Sequence, residues 1–288
     1  MKLFAWSVIP TGVTAAAQEA LSHCCDALAQ FGLQDKILYP KDEAYEQRIG
    51  SYFSRAAQLR PHCILRPHTA LDVSAAVEAL TNAKPQACPF AVRSGGHNHI
   101  PGASSIEDGV NIDLGQMNST IYHSSNDTAT VQPGATWGSV YSTLDQLGVM
   151  AAGGRSASVG VGGLVLGGGN SYYAAERGLV CDNVVRFEVV LASGMIVYAS
   201  NSENSDLFQV LKGGGNNYGV VTAMDLKTFQ GGPLWGGVVT HPQSAASEIF
   251  AEFGRFGDRL VKDPFASLIT IDAYIPAMGE PFLMNAYE

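Results

Sequence analysis

Gly153–Asn170, GGRSASVGVGGLVLGGGN, holds more glycine than a packed helix or strand tolerates, and the rest of the chain reads as two α/β halves arranged around it. Glycine loses the most conformational freedom on folding, so such clusters persist where φ > 0 or close backbone approach to a ligand is needed. A flexible linker is the competing reading. Against it stand the interleaved apolar residues Val159, Val161, Leu164, Val165 and Leu166, which would anchor the stretch in a core. No Gly-Lys-Ser/Thr ending marks a P-loop, and Val165 stands where a Rossmann fingerprint needs its third glycine. The stretch therefore reads as an anion cradle of a third kind, built from backbone.

The 288 residues suffice for one large or two medium domains, with 46% hydrophobic and 15% charged residues as in an ordinary globular protein. Seventeen basic against 26 acidic residues give a net charge of −9, which repels nucleic acid and anionic membrane; neither is an expected partner. Met1, Lys2, the apolar run Leu3–Ile9 and Ala15–Ala17 have the order of a secretory signal over residues 1–17, the alternative being an N-terminal helix. Two sequons, Asn118-Ser-Thr and Asn126-Asp-Thr, lie in a polar segment expected at the surface and lean toward a secreted glycoprotein. Cys24, Cys25, Cys63, Cys88 and Cys181 are too widely spaced for a zinc ribbon, and an oxidising compartment would permit a disulfide with at least one thiol left over. No stretch after the leader is long and apolar enough to span a membrane.

Residues 18–54 read as an N-terminal segment with a helix over 19–31 and a polar run over 42–54 that offers few core residues. A strand at 63–66 is closed by Pro67, and Thr69 with Asp72 starts a helix whose apolar face is Val73, Ala76, Val77 and Leu80. A buried strand at 90–92 runs into Arg93-Ser94-Gly95-Gly96-His97-Asn98. Strands follow at 110–114 and 128–132, then a helix capped by Thr136 with Trp137, Val140, Tyr141, Leu144 and Leu147 on one face and Gly148 as its stop. Beyond the glycine stretch come a hairpin of 184–191 with 195–199, a helix capped by Ser205, the loop Lys212–Gly219, and a strand at 220–226. From Gly231 the character changes, with a helix over 244–256 and a strand over 267–274.

Three glycine-rich loops thus recur beside strands: Arg93–His97, Gly153–Asn170 and Lys212–Gly219. With Cys181-Asp-Asn-Val-Val between the last two, this order resembles the FAD-linked oxidases of the vanillyl-alcohol-oxidase and berberine-bridge-enzyme superfamily, close to their fungal members, over about residues 55–230. The resemblance implies an α+β protein. A PCMH-type FAD-binding domain of two α/β subdomains would occupy 55–230, followed over 231–288 by the beginning of an α+β substrate domain.

The resemblance also implies jobs for residues. Arg93, Ser94, Gly95, Gly96, His97 and Asn98 would wrap the FAD pyrophosphate through backbone N–H groups. From the second loop come Gly154, Ser158, Val159, Gly160 and Gly163, with Gly168, Gly169 and Asn170 at its end. Asp182 and Asn183 resemble the flavin-contacting turn, and Val221 completes the set. His97 falls where many relatives bond covalently to the flavin 8α-methyl, the alternative being a loop histidine over noncovalent FAD. Ser156 replaces the cysteine of doubly attached relatives, which rules out a second link by that route. His97 and His99 form a His-x-His pair without a third ligand, so no metal is expected. Cys24 or Cys25 with Cys63 would tie the N-terminal helix to the first strand. Trp137, Tyr141 and Phe187 read as core, as do the phenols of Tyr173 and Tyr218.

The implied reaction is hydride transfer from a small alcohol, carbohydrate or secondary metabolite to FAD, with molecular oxygen as acceptor. Glu288 comes before the closing sheet and the tyrosine- and asparagine-containing segment of the relatives, so truncation at the C-terminus is expected and no catalytic base can be named. Two rival readings are flavin binding without turnover and a secreted binding module with no cofactor.

Overall fold

The structure, a computed structural model, describes residues 23–260 and 262–288. The expected signal at 1–17 lies outside the described residues.

The chain begins with helix α1 (23–28), which passes through a π-turn at Ala29–Leu33 into the short strand β1 (Ile37–Leu38). Helix α2 (Glu43–Gly50) follows, then β2 (Cys63–Leu65), α3 (Ala70–Thr81), β3 (Phe90–Arg93) and β4 (Val110–Asp113). These strands form one sheet in the order β1-β2-β4-β3, with β2, β4 and β3 parallel and β1 antiparallel to β2. Helix α3 starts as its sequence predicts: the Asp72 N–H donates to Thr69 Oγ1 at 3.1 Å while the Thr69 N–H donates to Asp72 Oδ2 at 3.1 Å. Its buried Val73, Ala76, Val77 and Leu80 form a core with Ile112, Val110 and Leu65. Two disulfides, Cys24–Cys88 and Cys25–Cys63, fix α1 to this core.

The polar run at 42–54 behaves otherwise than its composition suggests. It folds as α2 and buries Tyr45, Ile49 and Tyr52. The buried phenols have partners: Tyr45 Oη donates to the Pro61 carbonyl and Tyr52 Oη to the Ser104 carbonyl, both at 2.8 Å.

The second sheet is antiparallel throughout, in the order β5-β6-β10-β8-β9, from β5 (Thr120–His123), β6 (Thr128–Val131), β8 (Val184–Val190), β9 (Ile196–Ser200) and β10 (Val220–Gln230). β7 (Val149–Ala151) pairs with the far end of β10. Helix α4 (Trp137–Asp145) buries Trp137, Val140 and Leu144 against Phe187, Met224 and Leu226. Leu147, expected on that face, lies past the helix end and is 54% exposed, because the chain turns at Gly148 with φ 69°. The glycine stretch is less irregular than its composition suggests: Val161–Leu166 closes a short helix, α5, that seats Val161 and Val165 in the core. Helices α6 (Ala174–Arg177) and α7 (Ser205–Leu211) complete this part. The residue before α7 is Asn204, not Ser205; it takes the left-handed conformation (φ 47°, ψ 51°) while its amide donates to the Tyr198 carbonyl at 2.7 Å.

A third sheet, β11-β13-β12, is made by Gly237–Pro242 (β11), Leu268–Tyr274 (β12) and Pro281–Tyr287 (β13), with helix α8 (Ala246–Gly257) beside it. Among the described residues no helix is long and apolar enough to cross a membrane.

Candidate functional site

Strand β3 lies at the edge of the first sheet, so Phe90, Ala91 and Val92 are half-buried rather than enclosed. They form one wall of a cavity of about 920 Å³ between the first two sheets, a size at the upper end of ligand sites. The three glycine-rich loops converge on it: Ser94–Asn98 from the end of β3, Val159, Gly160 and Gly163 from the second loop, and Gly215–Val221 leading into β10.

The first two loops meet backbone to backbone. A Cβ placed on Gly95 would stand 2.5 Å from the Gly160 nitrogen, and one placed on Gly160 would strike the Gly95 nitrogen in return. Gly96 has φ 71°, and a Cβ there would meet the Arg93 guanidinium. Among the described residues, none of the backbone N–H groups of Ser94, Gly95, Gly96, His97 or Asn98 donates to a protein acceptor. Five consecutive donors without protein partners, along a cavity wall, fit a phosphate group.

The loop is held from behind. Arg93 is buried beneath it, with Nη1 donating to the Arg48 carbonyl at 2.6 Å, Nη2 to Ser51 Oγ at 2.9 Å, and its guanidinium 3.9 Å over the Tyr52 ring. Arg48 in turn grips the buried Asp113 through Nε at 2.6 Å and Nη2 at 2.8 Å. Burial pushes the Tyr52 phenol up to about 12, so it stays a donor to Ser104. The Phe53 N–H donates to the Gly96 carbonyl at 3.1 Å.

His97 lines the cavity half-buried, stacked on Phe53 with ring centroids 4.4 Å apart and with Nε2 3.3 Å from Ser158 Oγ. His99 lines the same cavity and is exposed. Among the described residues the one grouping of three metal-ligand types is His23, Cys24 and Cys88, whose cysteines are joined to each other as a disulfide and offer no thiolate.

Of the cofactor-site residues named from sequence, Gly154, Ser158, Gly168, Gly169, Asn170, Asp182 and Asn183 do not line the cavity. Gly154 packs on Trp137 and its carbonyl accepts from Tyr141 Oη at 2.8 Å. Gly168 and Gly169, at φ 97° and 79°, accept from the Cys181 and Val180 N–H groups and fix the turn that follows α6. Within that turn Asp182 Oδ2 accepts from the Leu179 N–H, and the Asn183 amide donates to the Arg177 and Leu179 carbonyls. Ser158 reaches the cavity through His97 alone, and Asn170 is exposed at the end of the loop. Trp137 and Phe187 are fully buried core. Tyr173 sits edge-on to Phe229, whereas Tyr218, 43% exposed, is at the cavity wall. Burial raises the pKa of the free thiol of Cys181, which makes it a poor nucleophile.

Sequence reading passed over the segment Ile100–Ser104, which forms the opposite lip and is bridged to the third loop by the Asn216 amide donating to the Ala103 carbonyl at 3.4 Å. Its signal was the turn sequence Ile100-Pro-Gly-Ala directly after His99.

Residues 61–200 match the FAD binding domain family. The FAD-dependent monooxygenase sdcF of Emericella nidulans is 46% identical over 252 residues, which are 87% of this chain and 52% of that protein. The solved chitooligosaccharide oxidase superposes with a TM-score of 0.77 at 27% identity, covering 92% of this chain and 55% of that one. Berberine bridge enzyme shares the fold, with a TM-score of 0.79 at 19% identity over 93% of this chain and 55% of that one. The chain spans about half the length of the curated relatives it matches. A cradle of unpaired amides between two sheets, with an FAD binding domain match over residues 61–200 and these relatives, makes the chain similar to FAD-dependent oxidoreductases.

Proposed function

We propose that residues 55–230 hold FAD in the cavity between the first two sheets, and that 231–288 open a substrate domain of a two-electron oxidase. The observation that carries this reading is the row of five unpaired N–H groups at Ser94–Asn98, pressed against Gly160 with no side chain between. The first loop grips the pyrophosphate, Gly160 and Gly163 keep the second loop clear of it, and Val221 packs at the cavity floor. Bound FAD supplies a hydride acceptor, which suits a small alcohol, carbohydrate or secondary metabolite as substrate and molecular oxygen as final acceptor. Arg93 and the α2 carbonyls fix the loop before binding, so little ordering cost falls on the binding step. Gly168, Gly169, Asp182 and Asn183 support the site by shaping the turn behind it. His97, held by Phe53 and Ser158 at the cavity wall, is the attachment point for the flavin 8α-methyl.

Two disulfides require an oxidising compartment, which supports passage through the secretory route as a glycoprotein. One observation favours flavin binding without turnover by this span alone: in the third sheet only Leu283 and Asn285 are buried.

The test is the visible spectrum of purified protein before and after acid precipitation. Flavin colour that stays with the pellet, and is lost in His97→Ala, supports the histidyl bond. Colour released to the supernatant removes the bond and keeps the FAD site; protein that binds no FAD overturns the reading of the cradle. Peroxide released with a substrate separates oxidase from flavin carrier.

A further inference from the structure

Among the described residues, strand β5 is the outer strand of the second sheet and pairs with β6 alone. Its free side therefore presents unpaired N–H and C=O groups to any second strand, a standing invitation to edge-to-edge association. Beyond its shortness, four residues, the strand carries none of the usual deterrents. Thr120-Ile-Tyr-His has no lysine, proline or acidic residue, its pairing with β6 is regular with no bulge, and Ile121 is 54% exposed. Threonine, isoleucine and tyrosine are strong strand formers, so the composition favours association.

The two sequons bracket this strand. Asn118 stands two residues before it and Asn126 in the turn that leads from it to β6, and both are exposed. Neither lines the cavity. At Asn126 the Thr128 hydroxyl donates to Oδ1 at 2.9 Å, and among the described residues Nδ2 has no protein partner. At Asn118, Nδ2 makes one exposed contact, to the Gly115 carbonyl at 3.2 Å. Each amide nitrogen can thus carry a substituent without losing a buried hydrogen bond.

We infer that Asn118 and Asn126 carry N-linked glycans and that the pair guards the open edge of the second sheet against a second copy of the chain. The inference rests on the secretory reading above. In the transfer step the asparagine Nδ2 bonds to the anomeric carbon of a lipid-diphosphate-linked oligosaccharide. The sugar–phosphate C–O bond breaks, the lipid diphosphate leaves with the electron pair, and the amide gives up one proton; nothing is oxidised or reduced. A bulky, hydrated glycan at each end of a four-residue strand leaves a second strand no register in which to dock.

The full chain is expressed through a eukaryotic secretory pathway and treated, folded, with peptide N-glycosidase. Peptide mapping should find both asparagines converted to aspartate, and size-exclusion chromatography should show the treated protein self-associating at concentrations where the untreated one is monomeric. Enzymatic removal leaves the other side chains untouched, so a misfolded variant cannot mimic the result. The double variant N118Q/N126Q should repeat it, and the further change Ile121→Lys should restore the monomer. No glycan at either site overturns the secretory reading and the guard with it. Glycans whose removal leaves the protein monomeric overturn the guard and keep the secretory reading.

Discussion

The two sheets that enclose the cavity and the third sheet beside them share one alphabet of strands and amphipathic helices, yet they finish differently. In the first two, α3 and α4 press their apolar faces into continuous cores. In the third, α8 has alternating apolar and charged faces but buries no residue, and Phe265, Tyr274 and Val238 are 76%, 61% and 61% exposed. Trp235, on the way into that sheet, is 80% exposed. An amphipathic pattern says which face seeks cover; only a second surface supplies it. Burial of apolar area, about 25 cal/mol per Å², therefore stabilises the first region far more than the second.

The largest effect should appear in local opening. Amides in 237–288 should exchange orders of magnitude faster than those of β8 and β10, and proteases should trim from Glu288 toward Pro233 while leaving 63–230 whole. Equal protection in both regions would break the comparison.

Within the well-covered region, the loop seam sharpens it. Gly160→Val should cost about 3 kcal/mol in chemical denaturation, because the new side chain has Gly95 backbone and Ser94 Oγ in its place. Gly163→Val separates fold from site: outside its chain neighbours and its own helix backbone, nothing lies within 4 Å of its Cβ position, so stability should stay within about 0.5 kcal/mol while flavin absorbance is lost. A Gly163→Val protein that keeps its flavin would place the ligand elsewhere in the cavity.

A smaller effect probes the start of α3. Burial raises the Asp72 carboxyl pKa, but the Lys36 ammonium at 2.7 Å and the His68 and Thr69 amides outweigh it, leaving the pKa below the usual carboxylate value. A depressed folded pKa stabilises at pH above the unfolded value, near 4, and the contribution disappears as pH falls through the folded one. Asp72→Asn should lose about 1 kcal/mol at neutral pH and show a flatter acid limb than the parent in pH-dependent unfolding. An unchanged acid limb would remove Asp72 from the account.

Much of this architecture was legible because it rests on local signals. Thr69 and Thr136 announce their helices, and the hairpin of β8 and β9 alternates cleanly. Arg93–His97 marks the cavity because glycine beside a strand end serves little else. Other parts were hidden for physical reasons. Helix α2 buries tyrosines whose hydroxyls reach carbonyls far along the chain, so a polar run conceals three core residues. Which cysteine of Cys24 and Cys25 meets Cys63 depends on the rotation of α1, which no spacing encodes. Asp182 and Asn183 stand in the expected turn, yet their side chains are spent on holding it. β11 was passed over because its one partner, β13, lies beyond α8 and β12 in the chain; β13, the central strand, pairs with both β11 and its neighbour β12.

The contact of Gly95 with Gly160 has a consequence for how this protein can change over generations. Side chains in contact can drift together, a larger one on one side answered by a smaller one on the other. Here neither partner has anything left to give up, so no second substitution can rescue the first. Positions that touch in this way leave no correlated pairs in a set of related sequences, only two columns that never vary. A contact map inferred from covariation would be blank at the seam that shapes the cavity, although 65 residues of chain separate its two sides.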